Sequence, residues 1–95
     1  MHAKDVRRRV FEQTKQRNGS FLDGVLAGMF TAPGDGDLEW RGVASALRAI
    51  RYDGWIVVEA EQDPALADPR IYSRIGLDTV RGLLNASLPA AGASR

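Results

Sequence analysis

The sequence contains no cysteine, a single histidine and no apolar run longer than Trp55 to Val58. The absence of cysteine excludes a disulfide scaffold and a zinc site built on thiolates. The short apolar run falls far below the ~20 residues that cross a bilayer, and the N-terminus begins with charged residues instead of an apolar signal core. These absences favour a cytoplasmic, soluble protein with no membrane partner.

Neither sign of charge dominates, because 13 Lys and Arg residues stand against 12 Asp and Glu residues. The basic cluster Arg7 to Arg9 is a feature of nucleic-acid-binding proteins, but the chain has no aromatic platform and no recognisable reading motif. The loop Pro33 to Gly36 lacks the lysine and the spacing of a phosphate loop. We therefore expect no nucleic-acid partner, and nucleotide binding has little support.

Apolar residues at helical spacing predict four helices. The first ends at Asn18-Gly19, and the second begins with a capping box formed by Ser20 and Asp23. Asp37 is the expected cap of the third helix, whose buried stripe includes Ile50. The predicted helices cover Val6 to Arg17, Ser20 to Met29, a segment around Val43 to Ile50, and Arg70 to Ala86.

A β-branched run without polar alternation, Trp55 to Ala60, predicts a strand that is buried on both faces in a parallel sheet. The only other candidate strand is a stub at Met1 to Lys4. Because stable sheets generally have three or more strands, the sequence predicts the end of a larger parallel α/β protein. We expect the isolated chain to fold poorly.

The first candidate for chemistry is the segment His2 to Arg7, His-Ala-Lys-Asp-Val-Arg. It supplies a metal ligand, a proton donor and a clamp for anions or hydroxyl groups if these side chains meet at the end of a strand. The alternative is that His2 is a flexible terminal residue and that Arg7 to Arg9 form a solvated helix face.

The second candidate is Glu59, which directly follows the buried run. A buried, ionised carboxylate is costly unless it is paired or bound to a metal. Glu61 has the same parity and lies on the same face, toward the carboxyl end of the sheet where α/β proteins place their sites. The alternative is a strand that ends at Val58 and leaves both carboxylates in water.

Three segments, taken together, resemble the C-terminal part of the inosose dehydratases (2-keto-myo-inositol dehydratases). They are His-Ala-Lys-Asp-Val-Arg at 2–7, Gly-Met-Phe-Thr-Ala-Pro-Gly-Asp-Gly at 28–36, and Tyr-Asp-Gly-Trp-Ile-Val-Val-Glu-Ala-Glu-Gln-Asp-Pro at 52–64. That family lies within the xylose isomerase-like (β/α)8 TIM barrel superfamily. The resemblance implies an α/β fold in which residues 1–86 form the C-terminal quarter of a barrel and residues 87–95 a flexible tail.

The resemblance also implies an activity, a divalent-metal hydro-lyase of inositol catabolism that removes water from 2-keto-myo-inositol. Its implied cofactors are manganese or cobalt, together with glutathione. His2 and Glu59 match metal ligands, Lys4 and Glu61 match catalytic positions, and Arg7 matches a substrate-binding position. The substrate, a keto-inositol, is the expected small-molecule partner.

The chain is shorter than the resemblance requires, because such a barrel needs ~250 residues. Two metal ligands expected on earlier strands, a glutamate and an aspartate, have no counterpart in it. We therefore expect the isolated chain to be inactive and the missing N-terminal barrel part to be a partner. Three alternatives stay open: a fragment of another sugar isomerase or epimerase of the superfamily, a non-catalytic remnant, and a subunit that completes a barrel.

Overall fold

The computed structural model describes residues 1–87 and shows a mixture of helices and short strands. No helix in that range is long and apolar enough to cross a membrane. The elements, in chain order, are β1 (His2–Ala3), β2 (Asp5–Val6), α1 (Arg8–Gln16), α2 (Phe21–Leu26), β3 (Phe30–Thr31), α3 (Trp40–Ala49), β4 (Val57–Val58) and α4 (Pro69–Ser87).

Two small sheets organise the chain. In the first, β1 and β4 run parallel, with His2 opposite Val57 and Ala3 opposite Val58. In the second, β2 and β3 run antiparallel, with Asp5 opposite Thr31. The stub predicted at the N-terminus is therefore a strand, and its partner is the strand that the β-branched run predicted.

The end of α1 and the start of α2 follow the predicted local signals, whereas the other two boundaries were wrong: Val6 lies in β2, and α2 ends at Leu26 instead of continuing to Met29. Asn18 has a positive φ of 52°, and the N–H groups of Asn18 and Gly19 bond to the last carbonyls of α1, which ends that helix. At the start of α2, the Ser20 hydroxyl accepts from the Asp23 N–H and the Asp23 carboxylate accepts from the Ser20 N–H. The predicted capping box is confirmed.

The prediction for α3 was wrong at both ends. The N-cap is Glu39, whose carboxylate accepts from the N–H groups of Arg41 and Gly42, at 3.1 and 2.7 Å. Asp37 instead accepts from the Arg8 N–H. Ile50 is 70% exposed because the helix ends at Ala49 and Ile50 lies beyond the last turn.

The prediction that β4 is buried on both faces was also wrong for the described residues. Trp55 is 87% exposed and Val57 is 46% exposed. Burial on both faces requires cover on each face, and helix α4 covers only the face that carries Val58.

Helix α4 begins after Asp68, whose carboxylate accepts from the Arg70 N–H at 2.9 Å. Pro69 occupies the first helical position, where its missing N–H costs nothing. The helix runs to Ser87, and the predicted flexible tail, from residue 88 onward, lies outside the described residues. Gly76 lets α4 approach the sheet, since a Cβ there would lie 2.5 Å from Val58 Cγ1.

Candidate functional site

The carboxyl ends of β1 and β4 lie side by side because the two strands are parallel and paired in register. Side chains alternate between the faces of a strand, so His2 and Lys4 share a face, as do Glu59 and Glu61 beyond β4. The Glu59 N–H donates to the Ala3 carbonyl at 2.9 Å, which extends the pairing one residue past the strand. The sheet therefore brings four of the five predicted site residues into two pairs.

The first pair joins His2 and Glu59. The His2 Nδ1 atom contacts the Glu59 Oε2 atom, and the Glu59 side chain is only 27% exposed. That carboxylate oxygen is buried, and apart from the His2 imidazole it has no hydrogen-bond donor among the described residues. A buried carboxylate oxygen whose polar neighbour is an imidazole suits a cation ligand, since both groups are common ligands of divalent metals.

The second pair joins Lys4 and Glu61. The Lys4 Nζ atom donates a hydrogen bond to Glu61 Oε1 at 2.5 Å and lies 5.1 Å from the centre of the Phe30 ring. The hydrogen bond to Glu61, together with the negative charges of Glu61 and Glu59, raises the pKa of Lys4 above its ordinary value of 10.5. Lys4 is thus held as an ammonium ion beside a carboxylate.

Strand β4 ends at Val58, as the alternative interpretation of Glu59 and Glu61 required. The two carboxylates nevertheless do not lie free in water, since each contacts a basic side chain of the N-terminal segment. Likewise, His2 is tied to Glu59 despite its terminal position. The strand thus ends where the alternative interpretation placed its end, but the two carboxylates are paired and not free in water.

Arg7 lies apart from these two pairs. Its guanidinium donates to the Gly28 carbonyl at 2.9 Å, to the Thr31 hydroxyl at 3.2 Å and to the Asp35 carboxylate at 2.8 Å. The Gln62 side-chain amide donates to the same Thr31 hydroxyl at 3.4 Å, which links β3 to the segment after β4. Arg7 therefore braces β3 and the loop Pro33 to Gly36, whereas its neighbours Arg8 and Arg9 are exposed on α1.

Sequence reasoning did not single out Asp5, whose side chain accepts more hydrogen bonds than any other in residues 1–87. Its carboxylate is fully buried and accepts five hydrogen bonds of 2.7–3.2 Å. The donors are the N–H groups of Val6, Gly34, Gly36 and Leu38 and the indole N–H of Trp40. Four of them come from the loop at 34–40, so that Asp5 fixes this loop next to the strands that carry the two pairs.

The charge on Asp5 is retained despite its burial. Burial by itself raises the pKa of a carboxyl group, but the hydrogen bonds, led by that from Trp40, outweigh it and hold the pKa of Asp5 below its ordinary value of 3.8. A signal in the sequence was available: an acid between Ala3 and Val6 must find donors if the segment is a buried strand.

The described residues contain no cluster of three or more His, Cys, Asp or Glu side chains that could hold a metal ion. At the end of the sheet His2 offers a ring nitrogen and Glu59 a carboxylate oxygen, and manganese and cobalt bind both ligand types. The two side chains therefore fit part of the ligand set that such a metal ion requires.

Proteins named inosose dehydratase share much of this sequence. The chain is 53% identical over 73 residues to one from Klebsiella pneumoniae and 51% identical over 73 residues to one from Geobacillus thermodenitrificans. It is 43% identical over 86 residues to one from Mesomycoplasma hyopneumoniae. These matches cover 77%, 77% and 90% of this chain. The resemblance to inosose dehydratases is confirmed.

The chain spans about a quarter of the length of these inosose dehydratases. The matched part makes up 24% of the Klebsiella and Geobacillus proteins and 29% of the Mesomycoplasma protein. No family model matches the chain. The comparison therefore establishes a resemblance to part of these dehydratases.

Proposed function

We propose that this chain supplies part of the active site of a divalent-metal-dependent inosose dehydratase, which removes water from 2-keto-myo-inositol. In this proposal, residues 1–86 form the C-terminal quarter of a (β/α)8 barrel. The observation that carries it is the pairing of His2 with Glu59 and of Lys4 with Glu61 at the carboxyl end of two parallel strands. Barrels of this type place their chemistry at that end of the strands.

His2 and Glu59 are the proposed metal ligands. Support comes from the buried Glu59 Oε2 atom, which lies against the His2 imidazole and has no other hydrogen-bond donor among the described residues. A divalent cation held there would supply Lewis-acid polarisation of the substrate ketone oxygen. Since residues 1–87 hold no group of three or more His, Cys, Asp or Glu side chains that could hold a metal ion, the proposal places the remaining ligands in other parts of the dehydratase.

Lys4 and Glu61 are the proposed proton-transfer residues. Loss of water breaks a C–H bond next to the ketone, its electron pair forms the new C=C bond, and the hydroxyl group leaves with a proton. Lys4, which is held protonated, donates to the leaving oxygen, and the Glu61 carboxylate accepts the proton from carbon. Their mutual hydrogen bond orients both groups on the face that carries His2 and Glu59.

Arg7 is the proposed contact for substrate hydroxyl groups. A guanidinium has five N–H donors, and the three hydrogen bonds to Gly28, Thr31 and Asp35 leave others free. The brace fixes the orientation of the group, so that a substrate oxygen would meet a donor already in position.

A chimera tests the proposal without relying on the assembly of separate chains. In the Klebsiella pneumoniae inosose dehydratase, the region that matches this chain is replaced by residues 1–87 of this chain. We expect the chimera, supplied with manganese or cobalt, to convert 2-keto-myo-inositol to the dione. A folded chimera that binds the metal but releases no water contradicts the proposal, and interconversion of keto sugars without loss of water would favour the isomerase or epimerase alternative.

A further inference from the structure

The loop Pro33 to Gly36 contains one ionisable side chain, Asp35, and directs it at Arg7. The Asp35 Oδ2 atom accepts from the Arg7 Nη2 atom at 2.8 Å and from the Thr31 hydroxyl at 2.7 Å. The Thr31 hydroxyl in turn accepts from the same Arg7 nitrogen at 3.2 Å. The three side chains therefore form a closed set of hydrogen bonds, in which the carboxylate is the only charged partner of the guanidinium.

The backbone is fixed on both sides of Asp35. The N–H groups of Gly34 and Gly36 donate to the Asp5 Oδ2 atom at 3.0 and 3.2 Å. Gly34 has a positive φ of 93°, and a Cβ at Gly36 would lie 2.5 Å from Asp5 Oδ1, so the loop reaches Asp5 only with glycine at these positions. The Gly-Asp-Gly sequence thus places the Asp35 carboxylate against Arg7.

Arg7 remains accessible to a small molecule. Its side chain is 30% exposed, and it lines an open crevice of about 240 Å³ together with Gln62 and Tyr72. A ligand that enters this crevice meets a guanidinium whose positive charge is already balanced by the Asp35 carboxylate.

This balance of charge selects between two classes of ligand. A guanidinium without an acidic partner binds phosphate and carboxylate groups strongly, often through two parallel hydrogen bonds. Beside Arg7, a second anion would be repelled by Asp35, whereas the hydroxyl oxygen of an uncharged polyol accepts from a remaining N–H group without that penalty.

We propose that Asp35 is a specificity-determining residue, which makes the Arg7 crevice accept uncharged polyols and reject phosphorylated or acidic ones. Asp35 acts through Arg7 and is a positioning residue, not a catalytic one. That the accepted polyol is the substrate rests on the proposed function.

Binding of inorganic phosphate to the chimeric dehydratase, measured by calorimetry, tests this role of Asp35. The variant Asp35→Asn removes the charge and keeps the shape and one oxygen acceptor. We expect it to bind phosphate about tenfold more tightly than the parent, because the repelling charge is gone. Its KM for 2-keto-myo-inositol should change by about twofold or less, since the amide oxygen still accepts from Arg7.

The variant Asp35→Ala separates position from charge. It should show the same gain in phosphate affinity, but its KM for 2-keto-myo-inositol should rise by about tenfold, because the guanidinium loses its support. Tighter binding of the anion together with weaker use of the neutral substrate is a pattern that a general loss of stability would not produce.

Two controls assign the gain to Arg7. Asp53→Asn makes the same change of net charge at an exposed position and should leave phosphate affinity unchanged. Adding Arg7→Ala to Asp35→Asn should abolish the gain, whereas phosphate bound elsewhere, a metal ion included, would still bind to the double variant. The proposal is overturned by no gain in Asp35→Asn, by an equal gain in Asp53→Asn, or by a gain that persists without Arg7.

The two proposals fail separately. An inactive chimera in which Asp35→Asn gains phosphate affinity through Arg7 contradicts the proposed function only. An active chimera in which Asp35→Asn brings no such gain contradicts the role of Asp35 only.

Discussion

The indole N–H of Trp40 donates a 2.7 Å hydrogen bond to the Asp5 carboxylate, across 35 residues of sequence. Trp40 is the first residue of α3, and Asp5 lies in β2, three residues after His2. The bond therefore ties the start of a helix to the strand next to the candidate site. With the four backbone donors it makes Asp5 the fixed point from which the loop at 34–40 is held.

The first prediction concerns the replacement Asp5→Asn. The amide keeps one oxygen acceptor, but its NH2 group replaces the second oxygen and would face the N–H donors of the loop. The change also removes the charge that strengthens each hydrogen bond. We expect a loss of about 2–3 kcal/mol in the free energy of unfolding of the chimeric dehydratase, measured by denaturant titration. Asp53→Asn, at an exposed position, is the matched control, and equal effects of the two changes would contradict the role of Asp5.

The second prediction concerns pH. The pKa of Asp5 is lower in the folded chain than its ordinary value of 3.8, so the ionised carboxylate stabilises the fold. This contribution is fully present above the ordinary pKa and is lost as the pH falls through the lower, folded pKa. The free energy of unfolding, followed from about pH 6 down to about pH 2, should fall less steeply in Asp5→Asn than in the parent. Identical slopes would show that Asp5 does not contribute to the acid transition.

The third prediction concerns folding of the 95-residue chain by itself. Its buried apolar residues are mostly small, whereas Trp55 and Val57 are exposed. We expect circular dichroism with denaturant titration to show a broad transition of low cooperativity. A monomer with one sharp transition at micromolar concentration would contradict this expectation and favour a self-contained α/β domain.

The fourth prediction concerns activity of the isolated chain. With two proposed ligands, much of the coordination of a metal ion would be left to water, and the arrangement for proton transfer would be incomplete. The pure chain, supplied with manganese or cobalt and 2-keto-myo-inositol, should form no measurable dione. The full-length Klebsiella enzyme serves as the positive control, and comparable turnover by the isolated chain would show the expectation to be wrong.

Local signals made part of this structure predictable. The capping box needs only Ser20 and Asp23, three residues apart. The C-terminal end of α1 needs only Asn18, which adopts a positive φ. The shared face of Glu59 and Glu61 follows from the alternation of an extended chain, so their positions beside the N-terminal segment could also be anticipated.

Other features depend on contacts that the sequence does not display. Asp5 is bonded mainly by backbone N–H groups, which every residue except proline has and which therefore leave no residue-type signature. The predicted burial of the strand assumed neighbours on both faces, and the exposure of Trp55 shows that one face lacks them among the described residues. Glu39 and not Asp37 is the cap of α3 because the helix begins at Trp40, and the Asp37 carboxylate accepts from the Arg8 N–H instead.

The fifth prediction separates the two carboxylates of the candidate site. In the chimeric dehydratase, Glu59→Gln should abolish both metal content and activity, because the amide keeps the shape of the side chain but not the ligand charge. Glu61→Gln should retain the metal and lower the activity by about 100-fold, as expected for a proton-transfer group. Metal analysis and turnover are measured for both variants, and loss of the metal in Glu61→Gln but not in Glu59→Gln would exchange the two roles.

Gly76 shows how a residue without a side chain contributes to the placement of the site. A Cβ at this position would lie 2.5 Å from Val58 Cγ1 and 2.9 Å from Pro33 Cδ, whereas Gly82 on the same helix has nothing within 4 Å of such an atom. Gly76 therefore limits how closely α4 approaches the sheet. The residue that it contacts, Val58, directly precedes Glu59. The backbone from which Glu59 extends to the opposite face is therefore positioned in part by the close approach of α4, which the hydrogen atom at Gly76 permits.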